Sequence, residues 1–155
     1  MSDLEDFLDE TLARQLKAEE ALHNGDPEPR LAMWSTQDPL TLFGAATSVT
    51  GSDEVRPFFR VLAPRFSDCR AYRFELVAAG VSGDLAYTVG YEHSTVSIDG
   101  VPAAPYTLRV THLYRREDGE WKIVHRHADA APVDPPLAGA VRRQPDGSDA
   151  TPGTR

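Results

Sequence analysis

Cysteine is nearly absent. Cys69 is the only one among 155 residues, which excludes a disulfide framework and a cysteine-built zinc site. Long apolar runs are also missing. No stretch approaches the ~20 consecutive apolar residues that a membrane-crossing helix needs, so no membrane partner is expected. Basic residues are in the minority, with 16 Lys and Arg against 24 Asp and Glu and a formal net charge of -8. Phosphate binding calls for clustered cations, so nucleic acid is not an expected partner. The opening Met1-Ser2-Asp3-Leu4-Glu5-Asp6 is acidic where a secretory signal would be basic and then apolar, and a cytoplasmic setting is the expectation. There is no Gly-x-Ser-x-Gly nucleophile elbow. Gly80-Val81-Ser82-Gly83 links strands and has no following helix with which to cradle a phosphate.

What is present suits one globular domain. Hydrophobic residues make up 41% and charged residues 26%, in a chain long enough to bury a core. Ser2 is a good N-cap, and Asp3, Glu5 and Asp6 favour the positive end of a helix dipole. Leu4, Phe7, Leu8, Leu12, Leu16 and Leu22 recur at helical spacing, and Asn24-Gly25 ends that helix. Asp26 and Pro27 start a short second helix running to about Trp34. Leu40 to Phe43 and Thr47 to Thr50 read as short strands around Gly44. Ser52 caps a third helix whose apolar face is Val55, Phe58, Phe59, Leu62 and Phe66, with Pro64 distorting its end.

From Ser67 the period becomes two. Tyr72, Phe74 and Leu76 alternate with polar residues, and Leu85, Tyr87, Val89, Tyr91 and His93 alternate with smaller or polar ones. Tyr106 to Arg115 is a further strand, and Glu117-Asp118-Gly119 turns it into another from Glu120 to about Asp129. Helices first and an antiparallel meander second predict an α+β domain over residues 1–130. Residues 131–155, rich in Pro, Gly, Asp and Arg without periodicity, read as a disordered tail.

The run from Arg109 to His127, Arg-Val-Thr-His-Leu-Tyr-Arg-Arg-Glu-Asp-Gly-Glu-Trp-Lys-Ile-Val-His-Arg-His, resembles the closing strands of nuclear transport factor 2-like domains. SnoaL-like and ketosteroid isomerase-like proteins share that pattern, as do the association domains of calmodulin-dependent kinases. The amphipathic first helix, Trp34 and the segment Asp38 to Gly44 extend the resemblance over residues 3 to 130. It implies a cone-shaped fold with three N-terminal helices packed on a curved, mainly antiparallel sheet. A homodimer paired through the outer sheet faces is implied as well. Function resides in sites and not in folds, so the resemblance constrains the chemistry far less.

Two hairpin registers are open. A type I turn with Gly119 left-handed and bulged sets Leu113 against Ile123, Thr111 against His125 and Arg109 against His127. A two-residue Asp118-Gly119 turn sets Tyr114 against Ile123 and His112 against His125. The resemblance favours the first, because related families place an arginine like Arg109 in the pocket. On that reading Arg109, His125 and His127 are the candidate catalytic residues: a fixed cation for a carboxylate or enolate, and two proton carriers. Trp34, Tyr91, His93 and Thr111 are the candidate ligand-binding residues. The bland alternative pairs Arg109 with Asp129 or Glu92 for structure.

His125 and His127 have a strand spacing that a metal site can use, with His93 or Asp129 as a third ligand. The resembled superfamily mostly works without metal, and no metal or cofactor is expected. By resemblance the isomerase base position falls on Phe43, so the carboxylate that chemistry needs is missing. Asp38 reads as a turn former. The function expected is binding of a small, largely apolar, oxygen-bearing molecule, with proton transfer or hydration as the accompanying chemistry. The alternative is a non-catalytic domain for ligand binding or dimerisation.

Overall fold

The first helix, α1, spans Asp3–Leu22 and begins where its cap chemistry dictates. Ser2 Oγ accepts from the Glu5 backbone N–H at 3.2 Å, and Glu5 returns the bond by accepting from the Ser2 N–H at 2.9 Å. This is a computed structural model, and it describes residues 2–132. The expected tail lies, from residue 133 onward, outside the described residues. Helix α2 is Glu28–Met33, preceded by Pro27, and Asp26 Oδ1 accepts from the Glu28 N–H. Strands β1 (Thr41–Phe43) and β2 (Ser48–Thr50) form a small hairpin. Helix α3 is Ser52–Leu62, and Pro64 lies in a 3-10 turn, Ala63–Arg65. The meander follows as β3 (Phe66–Ser82), β4 (Leu85–Ile98), β5 (Ala104–Glu117) and β6 (Glu120–Ala130).

The six strands form one sheet in the order β2-β1-β6-β5-β4-β3. Every pairing is antiparallel except β1 with β6. The three helices cover one face of this sheet, so the expected α+β architecture is what the chain adopts. Its core lies between them. Phe7 of α1 meets Tyr114 of β5 and Trp121 of β6 edge to face, at 5.1 and 5.2 Å between ring centroids. Trp34 is buried against Phe59. Asp38, expected in a turn, accepts at 2.8 Å from the Ser52 N–H and so caps α3.

The last hairpin matches neither register throughout. Asp118 and Gly119 both have positive φ, 49° and 80°, so the turn is the two-residue kind that suits the twist of the strands. Glu117 therefore pairs with Glu120, and Tyr114 with Ile123. Next comes a bulge. The pairing passes from Tyr114–Ile123 to Leu113–His125, leaving Val124 as the extra residue. Beyond it His112 faces Arg126, Thr111 faces His127 and Arg109 faces Asp129.

That single extra residue inverts the faces of β6. Trp121 and Ile123 point into the core before the bulge, and Arg126 and Ala128 point inward after it. His125, His127 and Asp129 are turned outward. Strict alternation from Ile123 would have done the opposite.

Candidate functional site

The cavity lies between the helices and the concave face of the sheet, with a volume of about 340 Å³. Its wall is largely apolar, built from residues such as Leu22, Leu42, Phe58, Leu62, Phe66 and Leu108. The exposed Ala45, Ala46 and Thr47 of the β1–β2 turn stand at its rim.

Its polar side begins on α1. The helix turns a polar row, Thr11, Gln15, Glu19 and His23, toward the sheet at four-residue spacing, and all four are buried. Leu16, expected in the apolar stripe, is 43% exposed instead. Arg30 of α2 is 1% exposed and pairs with Glu19 at 2.8 Å. From the sheet come Glu92 on β4, Tyr106 on β5 and Arg126 on β6, with His112 of β5 fully buried and not part of the wall. Arg126 and Glu92 form a close, buried ion pair. Tyr72 donates to the other oxygen of Glu92 at 2.7 Å and accepts from Gln15 Nε2 at 3.0 Å.

Electrostatics in this network follow from burial and pairing. Burial alone would push the Glu92 carboxyl upward. Arg126 and Arg30, with hydrogen bonds from Tyr72 and Arg126, outweigh it and hold Glu92 below the usual carboxylate range. Burial likewise opposes the Arg126 charge, and Glu92 and Glu19 override it, so this guanidinium stays firmly protonated. His112 lies between the two arginines. Its Nε2 is 2.9 Å from Arg30 Nη2 and 3.1 Å from Arg126 Nη1. Both partners can only donate, so Nε2 must carry a lone pair and the ring must be neutral. Burial first, and then Arg30 and Arg126, hold His112 well below the ordinary histidine value.

His23 and Tyr106 meet at the cavity wall. His23 Nδ1 lies 2.6 Å from the Glu19 carbonyl oxygen, which can only accept, so this nitrogen carries the proton. In the neutral ring Nε2 then accepts from the Tyr106 hydroxyl at 3.1 Å. Burial, reinforced by the charges of Glu92 and Glu19, pushes the Tyr106 hydroxyl up to about 12, so it remains a donor at neutral pH. The pair offers a hydroxyl donor beside a nitrogen able to accept a proton.

None of the residues expected to line a pocket lies in this cavity. Arg109 is half exposed on the outer face and forms a two-bond pair with Asp129 at 2.8 and 2.7 Å, the structural arrangement weighed as the alternative. His125 accepts or donates at 2.6 Å with Thr41, and His127 is exposed; the Phe43 ring sits edge-on to both. His93 reaches Glu75 and Thr107 on the same side. Tyr91, Arg109, Thr111 and His127 do come together, at a second depression of about 320 Å³ on the outer face and not in the cavity. Trp34 is core. The cause is the face inversion at Val124, with the even-numbered residues of β4 and β5 turned inward.

Phe43 is also on the outer side, 42% exposed, so Leu42 is the cavity-lining residue of β1. The base position is still not a carboxylate. Among the described residues no three His, Cys, Asp or Glu side chains converge as a metal site would require. Nor is any helix there long and apolar enough to cross a membrane.

The residues that sequence reasoning missed are Glu19, His23, Arg30, Glu92, Tyr106, His112 and Arg126. One signal was available for the first two. A row of polar residues at i, i+4 spacing within an amphipathic helix, Thr11-Gln15-Glu19-His23, marks a second face with its own task.

Solved structures agree on the fold. A candidate dehydratase of the nuclear transport factor 2-like family from Streptomyces avermitilis superposes with a TM-score of 0.62 at 21% identity, over 83% of this chain and 97% of that one. A candidate ketosteroid isomerase from Parabacteroides distasonis gives 0.59 at 21% identity, over 77% and 86%. An uncharacterised protein with a cystatin-like fold from Caulobacter vibrioides gives 0.66 at 17% identity, over 92% and 99%. No curated protein sequence matches the chain. The family model described as SnoaL-like domain matches residues 16–133, about three quarters of the chain, and the protein belongs to the SnoaL-like domain family.

Proposed function

We propose that the cavity binds a small, largely apolar, oxygen-bearing molecule, and that His23 and Tyr106 carry out proton transfer on it. The observation that supports this most is the His23–Tyr106 contact at the wall of an otherwise apolar cavity. On binding, Tyr106 would turn its hydroxyl proton from His23 Nε2 to a ligand oxygen, which frees Nε2. His23 would take a proton at Nε2, and its Nδ1–H is already held by the Glu19 carbonyl. The Glu19 carboxylate, 3.7 Å from Nδ1, would stabilise the imidazolium that forms. In abstraction of a proton beside a carbonyl His23 would take the proton and Tyr106 would donate to the enolate oxygen; in elimination of water the His23 imidazolium would then return that proton to the hydroxyl that leaves. A carboxylate base on β1 has no counterpart here, because Leu42 lines the cavity at that strand.

Mass spectrometry of the natively purified protein would identify the bound molecule, and its turnover would then be followed. Tyr106→Phe and His23→Gln should each lower kcat by about 100-fold or more, the usual scale for general acid or base catalysis. Arg109→Ala, on the outer face, should leave it unchanged. The reading is refuted if Arg109→Ala abolishes turnover while the two cavity variants, still folded, keep it.

A second reading, dimerisation, has an observation of its own. Val77, Leu85, Tyr87 and Leu113 are large, exposed and apolar, and Tyr87 and Leu113 are directly paired on the outer face. Scattered apolar residues need no account, but a contiguous patch on a sheet face favours association. We propose that this face pairs two copies of the chain. It leaves the cavity, on the opposite face, free in either state.

A further inference from the structure

Every guanidinium that lines the cavity already has a carboxylate. Arg30 is matched by Glu19 at 2.8 Å, and Arg126 by Glu92. At the mouth Arg65 gives two hydrogen bonds to Asp99, at 2.9 and 2.8 Å. His112 adds no charge, because its Nε2 accepts from two arginines. His23 lies against Glu19, whose carboxylate is 3.7 Å from Nδ1 and is already engaged by Arg30. Three cations meet three anions, and the remaining wall is mainly apolar.

A carboxylate entering this cavity has no unmatched cation to meet. It would have to displace Glu19 or Glu92 from its arginine, or remain as an extra desolvated negative charge. Both are unfavourable in a buried site. An uncharged oxygen faces neither obstacle. The Tyr106 hydroxyl can donate to it, and a ligand hydroxyl can in turn donate to His23 Nε2.

We propose that the cavity selects uncharged ligands, such as phenols, alcohols and ketones on an apolar frame, and discriminates against the corresponding carboxylates. The inference rests on the cavity being the binding site and narrows the chemical class it takes. It departs from the expectation of a carboxylate held by arginine, since the arginine expected for that task, Arg109, lies outside and is itself paired.

The test is calorimetry on the full chain near neutral pH with two probes of similar shape, 2-naphthol and 2-naphthoate. Naphthol should bind at least about tenfold more tightly, the cost of one unmatched charge in a partly dry site being of that order or larger. Glu92→Gln keeps the shape of the side chain and leaves Arg126 without its carboxylate. In that variant, checked for folding by circular dichroism, the preference should move toward naphthoate by about tenfold. Equal or tighter binding of naphthoate to the unaltered protein overturns the selectivity while sparing the cavity as the site. An unchanged preference in folded Glu92→Gln also overturns it, because the charge balance would then not be the cause. Absence of heat from both probes counts against the cavity as a binding site, and the selectivity falls with it.

Discussion

Replacing Arg126 by methionine removes one charge from the buried network and leaves its partner in place. Glu92 is 2% exposed and would keep only the Tyr72 hydroxyl, at 2.7 Å, and the more distant Arg30 as favourable company. Breaking a buried pair from one side costs about 3 to 5 kcal/mol, and the surviving Arg30 argues for the lower end, about 3 kcal/mol. With a typical urea dependence of about 2 kcal/mol per molar, the unfolding midpoint should fall by about 1.5 M. A domain of ordinary stability would survive that loss. Trp34 and Trp121, both buried, should report the transition by fluorescence.

The pH dependence gives a sharper signature of the same cause. In the unaltered protein the Glu92 value is depressed, so its stabilisation is complete above the unfolded carboxylate value of about 4.3 and is lost as pH falls below it. In Arg126→Met burial dominates and the folded value rises above the unfolded one. The variant's deficit should therefore be largest at neutral pH and shrink as pH falls toward about 4.3, where Glu92 takes up a proton in the folded state. Adding Glu92→Gln should recover most of the loss, because no charge is then left unmatched. A single variant that costs under about 1 kcal/mol, or a double variant that costs the sum of the singles, would refute the reasoning.

His112→Gln should flatten the acid sensitivity of the fold. Because the folded value of His112 is depressed, the unaltered protein loses stability as pH falls below about 6.5, by up to about 1.4 kcal/mol per pH unit, and the variant lacks that slope. Urea midpoints at pH 7 and pH 5 check this, and an equal drop in both proteins would rule it out. Leu113→Glu places a charge within the exposed outer patch and should convert a dimer to a monomer in sedimentation velocity. A monomeric unaltered protein over the same concentrations would dispose of the dimer reading.

Much of the fold was legible because it is written in local chemistry. Ser2 with Glu5, and Asp118-Gly119, each act within a few residues, and caps and turns depend on little else; Ser52, expected to cap α3, is instead its first residue, with Gly51 as the cap. The long strands were legible from their period of two. The site was less so, for a definite reason. Alternation divides a strand into two sets without saying which set faces in. On β5 the more apolar set, Tyr106, Leu108, Val110, His112 and Tyr114, does face inward. On β4 the rule fails. Leu85, Tyr87, Val89 and Tyr91 are turned to the outer side, and the inner side is given to Ala86, Thr88, Gly90, Glu92 and Ser94. Smaller residues there leave room for a cavity and for the polar row of α1.

The sequence by itself determined the elements, their order and where the turns fall, since each is governed by neighbours within a few positions. Only the tertiary structure decided where the chemistry lies. One extra residue, Val124, turns Arg126 inward and His125 and His127 outward. Once inside, Arg126 is stabilised by Glu92 from a strand 34 positions away, and Arg30 by Glu19 from a different helix. Buried charges persist only where distant segments bring matching partners together, and no local pattern encodes that meeting.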